Sequence, residues 1–290
     1  MKTTNLITNR KAFSMIELIF VIVIIGIMAG VSIWYLPRTE LKQAGETMIN
    51  NLKYTKTLAQ LDERQFLIRD DKYLDEVRTL SEAEKVAVMK GQMKNQQMGM
   101  WQFQFHETTD LTGKSPDSTR SAQTYTIYSE LAGTSESKPF DGKPMNGDII
   151  AQDPMTKQCI SGYNGTNLRD CTDKYGYAKE ARFFDTYQTQ VDSIVSNDCR
   201  TWKKGNTFAI YFDSKGNPYC KVGNEGTITA LNAPITIKLK RKNESAYICI
   251  TKGGIIEGGV PLDKNGQPQK DKDGRNRGIP VDNSGKCYDI

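Results

Sequence analysis

The chain has 290 residues, 38% of them hydrophobic and 25% charged, which allows one sizeable globular domain plus an extended element, or two small domains. Its formal net charge is +5, but Lys2, Arg10 and Lys11 supply three of those charges, so the side chains after Ala12 sum to +2 and no general case for nucleic-acid binding arises. One histidine, His106, and the lack of G-x-S-x-G, H-E-x-x-H and phosphate-loop motifs remove most catalytic constellations, and no enzymatic activity is expected.

Hydrophobicity is concentrated near the amino terminus. From Phe13 to Leu36 the sequence reads FSMIELIFVIVIIGIMAGVSIWYL, 24 residues with one charge. As a helix this run suffices for a bilayer core of roughly 30 Å. The cationic residues before it and the absence of acids there hold the first dozen residues on the cytoplasmic side, so everything after Leu36 is expected to be exported. Trp34 and Tyr35 then sit where an aromatic belt meets the outer headgroups. A secretory signal would end in an A-x-A cleavage site, which VSIWYLPR lacks. A plain anchor would not carry Glu17, because a carboxylate inside a membrane helix costs about 2.5–3.5 kcal/mol on insertion scales.

The segment KAFSMIELIFVIVIIGIMAG resembles the prepilin signature of type IV pilins and type II secretion pseudopilins. The resemblance implies a leader, residues 1–12, removed on the cytoplasmic side by a prepilin peptidase that also N-methylates the new terminus. Ala12 is then the last leader residue, standing where the family usually has Gly, and Phe13 is the methylated first residue of the mature chain. Residues 13–36 become a transmembrane and polymerisation helix. Glu17, the fifth mature residue, would compensate the positive amino terminus of a neighbouring Phe13, two charges that are each costly alone in an apolar core. Otherwise Glu17 would snorkel to the nearby interface. The further partners implied are other pilin or pseudopilin subunits and an inner-membrane assembly platform. The implied location is a single pass through the inner membrane, amino terminus cytoplasmic and carboxy-terminal domain periplasmic, with the filament in the periplasm or at the cell surface. Gly26 and Gly30 are either a G-x-x-x-G packing face or a local weakness of the helix, with Pro37 as the proline that follows.

Residues 37–61 continue with helical period. Leu41, Ala44, Met48, Leu52, Thr55 and Ala59 recur every three or four residues, with Lys42, Glu46, Lys53 and Lys56 between them, as in a helix with one face on a domain. Joined to the apolar segment, this gives roughly 50 residues of helix, about 75 Å long. Residues 62–290 form the exported globular domain. Ser81-Glu82-Ala83-Glu84 has capping-box spacing and opens a short helix through Gln92. The four methionines from 89 to 100 read as gap-filling contacts. Trp101, Phe103 and Phe105 alternate with Gln102, Gln104 and His106, predicting a half-buried strand, and Tyr125–Tyr128 is a second strand. Residues 133–175 are loop-rich. Phe208–Phe212 and Tyr219–Val222 form one hairpin around Ser214-Lys215-Gly216-Asn217; Ile235–Lys240 and Ala246–Ile250 form another around Asn243-Glu244. The tail beyond Gly258 reads as irregular. The fold class is therefore α+β, a long amino-terminal helix packed on a carboxy-terminal antiparallel β domain with a helical insertion. FAIYFDSKGNPY followed by ITIKLKRKNESAYICITKGGIIEGG resembles the carboxy-terminal half of the GspH/FimT group of minor pilins, with residues 62–97 and 133–200 as additions.

The six cysteines, Cys159, Cys171, Cys199, Cys220, Cys249 and Cys287, all lie in the exported part and read as three disulfides. Fifteen pairings are open. Cys159–Cys171, which closes a short loop, and Cys249–Cys287, which pins the tail, are the pairs expected. No CxxC pair exists, so no zinc site is expected. Around Asp271-Lys272-Asp273-Gly274 an EF-hand alignment puts Gln269 and Pro280 where Asp and Glu are needed, so no calcium site is expected either. No cofactor is implied. The same tail carries Gly274-Arg275-Asn276-Arg277, which resembles a G-R-x-R motif of the DNA-binding FimT branch. Arg275 and Arg277 are the candidate DNA-binding residues, able to reach successive phosphates with release of counterions. The chain thus reads as a minor structural subunit of a type IV filament, in a secretion pseudopilus or a type IV pilus, with a DNA receptor of an uptake pilus as the alternative.

Overall fold

The computed structural model describes residues 15–35, 39–62, 100–108, 122–130, 144, 148–162, 169–199, 202, 207–222, 228–262, 267, 269 and 278–288. The expectations placed on Ala12, Phe13, Pro37, the helix from Ser81 to Gln92, and Arg275 and Arg277 fall outside those residues. The chain divides into two units, Met1–Glu40 and Leu41–Ile290.

The first unit contains α1 (Met15–Tyr35), 21 residues with Glu17 as the one charge. Its many Ile and Val residues are stiff at χ1 and are not strong helix formers. A helix nonetheless lets an apolar run satisfy its own backbone donors and acceptors without a partner strand. Among the described residues no helix is long and apolar enough to cross a membrane. The described side chains of α1 end at Ile27, so the apolar run is covered only in part.

In the second unit, α2 (Thr39–Leu61) presents one buried stripe, made of the six periodic positions Leu41, Ala44, Met48, Leu52, Thr55 and Ala59. Its opposite face is polar, with an exposed Lys42–Glu46 pair at 3.7 Å that contributes little to stability.

Among the described residues the strands form two sheets. In the first, β1 (Trp101–Thr108) is central; β2 (Ala122–Ser129) and β3 (Ile149–Ile150) lie on one side, β5 (Phe208–Phe212), β6 (Pro218–Val222) and β7 (Thr229–Ala230) on the other. All its pairings are antiparallel. The second sheet runs β4 (Gln190–Val195), β8 (Ile235–Arg241), β9 (Glu244–Ile250), β10 (Ile256–Pro261) and β11 (Ile279–Val281). Its pairings are antiparallel except β10 with β11, which is parallel. Short helices α3 (Arg169–Tyr175) and α4 (Phe183–Tyr187) lie between β3 and β4. One core cluster joins the α2 stripe to Phe103, Tyr125, Ile127, Phe208, Ile210 and Phe212 of the first sheet and to Ile194, Ile235, Ile237, Leu239, Ile248 and Ile250 of the second. Polar bonds fix the helix on both: Asn51 Nδ2 donates to Tyr125 Oη at 2.6 Å, and Lys56 Nζ donates to Gly254 O at 2.8 Å.

Both expected hairpins form. In the first, Asp213 Oδ1 accepts from the Lys215 and Asn217 amides at 2.9 and 2.8 Å. In the second, the two-residue loop is Lys242-Asn243, one residue earlier than the pattern placed it, with Lys242 at φ 52°.

Three expectations are corrected. The strand at Trp101 is buried on both faces, because Gln102, Gln104 and His106 are enclosed along with the aromatics. Their polarity is met internally only in part: Gln102 Nε2 donates to Glu130 Oε1 at 3.2 Å and Tyr128 Oη donates to Gln104 Oε1 at 2.9 Å. The atoms Gln102 Oε1 and His106 Nε2 are buried without a hydrogen-bond partner among the described residues. The stretch from 133 to 175 holds β3 and α3 as well as loops. The tail beyond Gly258 is not wholly irregular: β10 runs to Pro261, and β11 pairs Ile279 with Gly259 and Val281 with Pro261. Three residues of strand held by a distant partner leave no local period to read.

Candidate functional site

The sequence places processing and assembly at the start of α1. Glu17 lies in the first turn, where a carboxylate faces the positive end of the helix dipole. Around it the helix is apolar on all sides and uncovered: Met15, Ile16, Leu18, Ile19, Phe20 and Ile22 are each more than half exposed. A helix hydrophobic all round belongs in lipid or against other helices. Glu17 is thus the one charged residue of α1, set among exposed apolar side chains, and a carboxylate in lipid or against other helices is stabilised most by a nearby cation. Gly26 leaves a flat spot, since a Cβ built there meets nothing within 4 Å.

The remaining candidate residues are in the second unit. The structure pairs Cys159 with Cys171, Cys199 with Cys220 and Cys249 with Cys287, at Cα separations of 6.2, 6.1 and 5.8 Å. Two of these are the pairs expected, and the third follows by elimination. Cys199, just past β4, and Cys220, on β6, tie the second sheet to the first.

Burial alone pushes the His106 imidazole down to about 3, so it is neutral at ordinary pH. Burial likewise raises the Tyr125 and Tyr211 phenols. Asp153 and Asp282 are held below the usual carboxylate range chiefly by hydrogen bonds, from the Thr156 amide and the Ser284 hydroxyl respectively. These acids brace turns. Among the described residues no group of His, Cys, Asp and Glu could hold a metal ion.

Pattern reading missed the side chain of Gln123 on β2. It spans the two sheets, donating from Nε2 to Val191 O at 2.9 Å while Oε1 accepts the Val191 amide. The amide group stands in for one rung of a strand on the edge of β4. No local signal marks such a residue, because its partner lies 68 positions away.

Residues 7–33 match the prokaryotic N-terminal methylation motif. The chain carries a type IV pilin-like signature. That signature implies processing by a prepilin peptidase, a membrane-anchored amino-terminal segment and assembly with other pilins. It spans Glu17 and the described apolar face of α1. No curated protein and no solved structure matches the chain.

Proposed function

We propose that the protein is a minor subunit of a type IV filament, in a type II secretion pseudopilus or a type IV pilus. The observation that carries this reading is that Glu17 is the one charged residue of α1, in the first turn of an exposed apolar helix within a methylation motif. After cleavage between Ala12 and Phe13, α1 anchors the chain in the inner membrane with its carboxy-terminal unit in the periplasm. An assembly platform then draws it into the filament, where Glu17 meets the methylated amino group of Phe13 on a neighbouring subunit. Minor status is supported by the size and individuality of the second unit, whose residues 148–199 add two short strands, helices and a disulfide-closed loop. The hairpins β5–β6 and β8–β9 support a GspH/FimT-like lineage.

Co-expression with a prepilin peptidase tests this. The mature chain should lose residues 1–12 and gain one methyl group on Phe13 by mass spectrometry. A Glu17→Ala variant should remain membrane-bound yet fail to appear in sheared filaments. Incorporation of the variant at the wild-type level would remove Glu17 from the joint.

A second reading makes the subunit a DNA receptor, resting on Gly274-Arg275-Asn276-Arg277 in the sequence. It predicts salt-sensitive DNA binding that falls, together with its salt slope, in an Arg275→Ala/Arg277→Ala variant. Equal binding by both proteins would return the tail to a solvated loop.

A further inference from the structure

Residues 278–288 supply the edge strand β11 of the second sheet and then turn back over its outer face, where Cys287 N meets Thr236 Oγ1. Strand alternation sends Ile235, Ile237, Ile248 and Ile250 into the main core and turns Thr236, Tyr247, Cys249 and Gly259 the other way. Over those outward residues Ile279, Val281 and Cys287 form a separate small cluster with Cys249 and Tyr247. Gly259 makes room for it: a Cβ there would lie 2.6 Å from Val281 Cγ2 and 2.7 Å from Tyr247 Cβ.

The strap organises itself. Asp282 N donates to Lys286 O at 2.8 Å, Tyr288 N donates to Pro280 O at 2.9 Å, and Asp282 Oδ1 accepts from Ser284 and Lys286. Among the described residues its ties to the sheet are few. One is the short parallel ladder to β10, three residue pairs long, continued by Leu262 N donating to Val281 O at 3.2 Å. Another is Cys287 N donating to Thr236 Oγ1 at 2.8 Å, and a third is the long, exposed contact of Lys286 Nζ with Asn197 Oδ1 at 3.4 Å. The one covalent tie is Cys249–Cys287. None of the strap's apolar residues belongs to the main core cluster.

We infer that this strap is a separable cap locked by Cys249–Cys287, whose reduction frees residues 278–288 as a unit and leaves the two-sheet core folded. Two electrons and two protons from an external dithiol, itself oxidised to a disulfide, convert the bond to two thiols. The released state uncovers Thr236 and Tyr247 and opens the outer edge of β10 from Gly259 to Pro261. In the oxidised state the strap keeps that edge from pairing with another chain.

Hydrogen exchange read by mass spectrometry on the full chain in detergent tests the inference. In a Cys249→Ser/Cys287→Ser variant, with the other four cysteines confirmed as disulfides by mass, amides of residues 279–288 should exchange at least ~10-fold faster, with β8 and β9 changed less than ~2-fold. Loss of protection in β8 and β9 along with the strap, or retained protection in the strap, overturns the separable cap. A Gly278→Ala variant keeps the disulfide but puts a Cβ 2.2 Å from Gly258 O at a residue with φ 121°. There the amides of Ile279 and Val281 should lose protection while that of Cys287 keeps it. If Cys287 loses it too, the ladder is the lock, and the disulfide is not.

Discussion

His106 shows how one residue sets an acid limit on the whole fold. Its side chain is buried in β1, and burial holds its folded pKa near 3, below the ordinary 6.5. The unfolded chain therefore binds a proton that the folded chain refuses, and stability falls as pH drops from about 6.5 towards 3. At pH 5 the loss from this group is about 2 kcal/mol relative to pH 8. Asp153 and Asp282 have depressed pKa values, so their contributions are present above the usual carboxylate range and are lost only at lower pH. The window between pH 6.5 and about 4.5 thus belongs to His106. Urea midpoints of the wild type should decline across that window, and a His106→Gln variant, whatever its absolute stability, should show a flatter profile. An unchanged slope in the variant would move the acid sensitivity elsewhere.

At the scale of elements, legibility follows the range over which a signal is local. The stripe of α2 was readable because six apolar or small positions repeat within 19 residues, and all six are buried. The hairpins were readable because their turns lie beside their strands: the Asp213 turn carries its own hydrogen-bond acceptor, and Lys242-Asn243 is a two-residue loop. β4 was not readable. Its apolar Val191 and Ile194 are three apart because a bulge between Val191 and Ser193 shifts the register, which breaks the period of two. Burial of Gln102, Gln104 and His106 was invisible for a related reason, since polar-outward alternation is the rule for a sheet with one wet face. The edge of β4 also yields a prediction. Gln123 satisfies both the N–H and the C=O of the buried Val191, so Gln123→Ala leaves two main-chain groups without that partner. The expected cost is about 2–4 kcal/mol, at roughly 1–3 per stranded group with partial relief by water. Gln123→Glu restores an acceptor but no donor and should fall between the two in a denaturant titration. A cost under about 0.5 kcal/mol for the alanine variant would mean that the two sheets do not depend on this rung.

For the molecule as a whole, the division of labour is between an exposed apolar helix and a unit that carries its own core. Among the described residues the main cluster begins at Leu41 and ends at Ile256, with nothing from α1. The second unit spans Leu41–Ile290, a size at which a single core is ordinarily sufficient, and holds all three disulfides. A fragment from Thr39 onward, secreted into an oxidising compartment, should therefore fold without the membrane helix. It should be monomeric by size exclusion, show no free thiol by mass, and unfold in one cooperative transition. Thr39 is the right start because α2 supplies Leu41, Ala44, Met48 and Leu52 to the core; beginning at Trp101 should leave an insoluble or molten product. Adding α1 back should change association alone: the full chain needs detergent, because residues 15–27 expose an apolar surface that water does not tolerate. If the fragment from Thr39 is molten while the full chain in detergent is cooperative, the two units do not fold independently, and the apolar helix is part of the fold and more than its anchor.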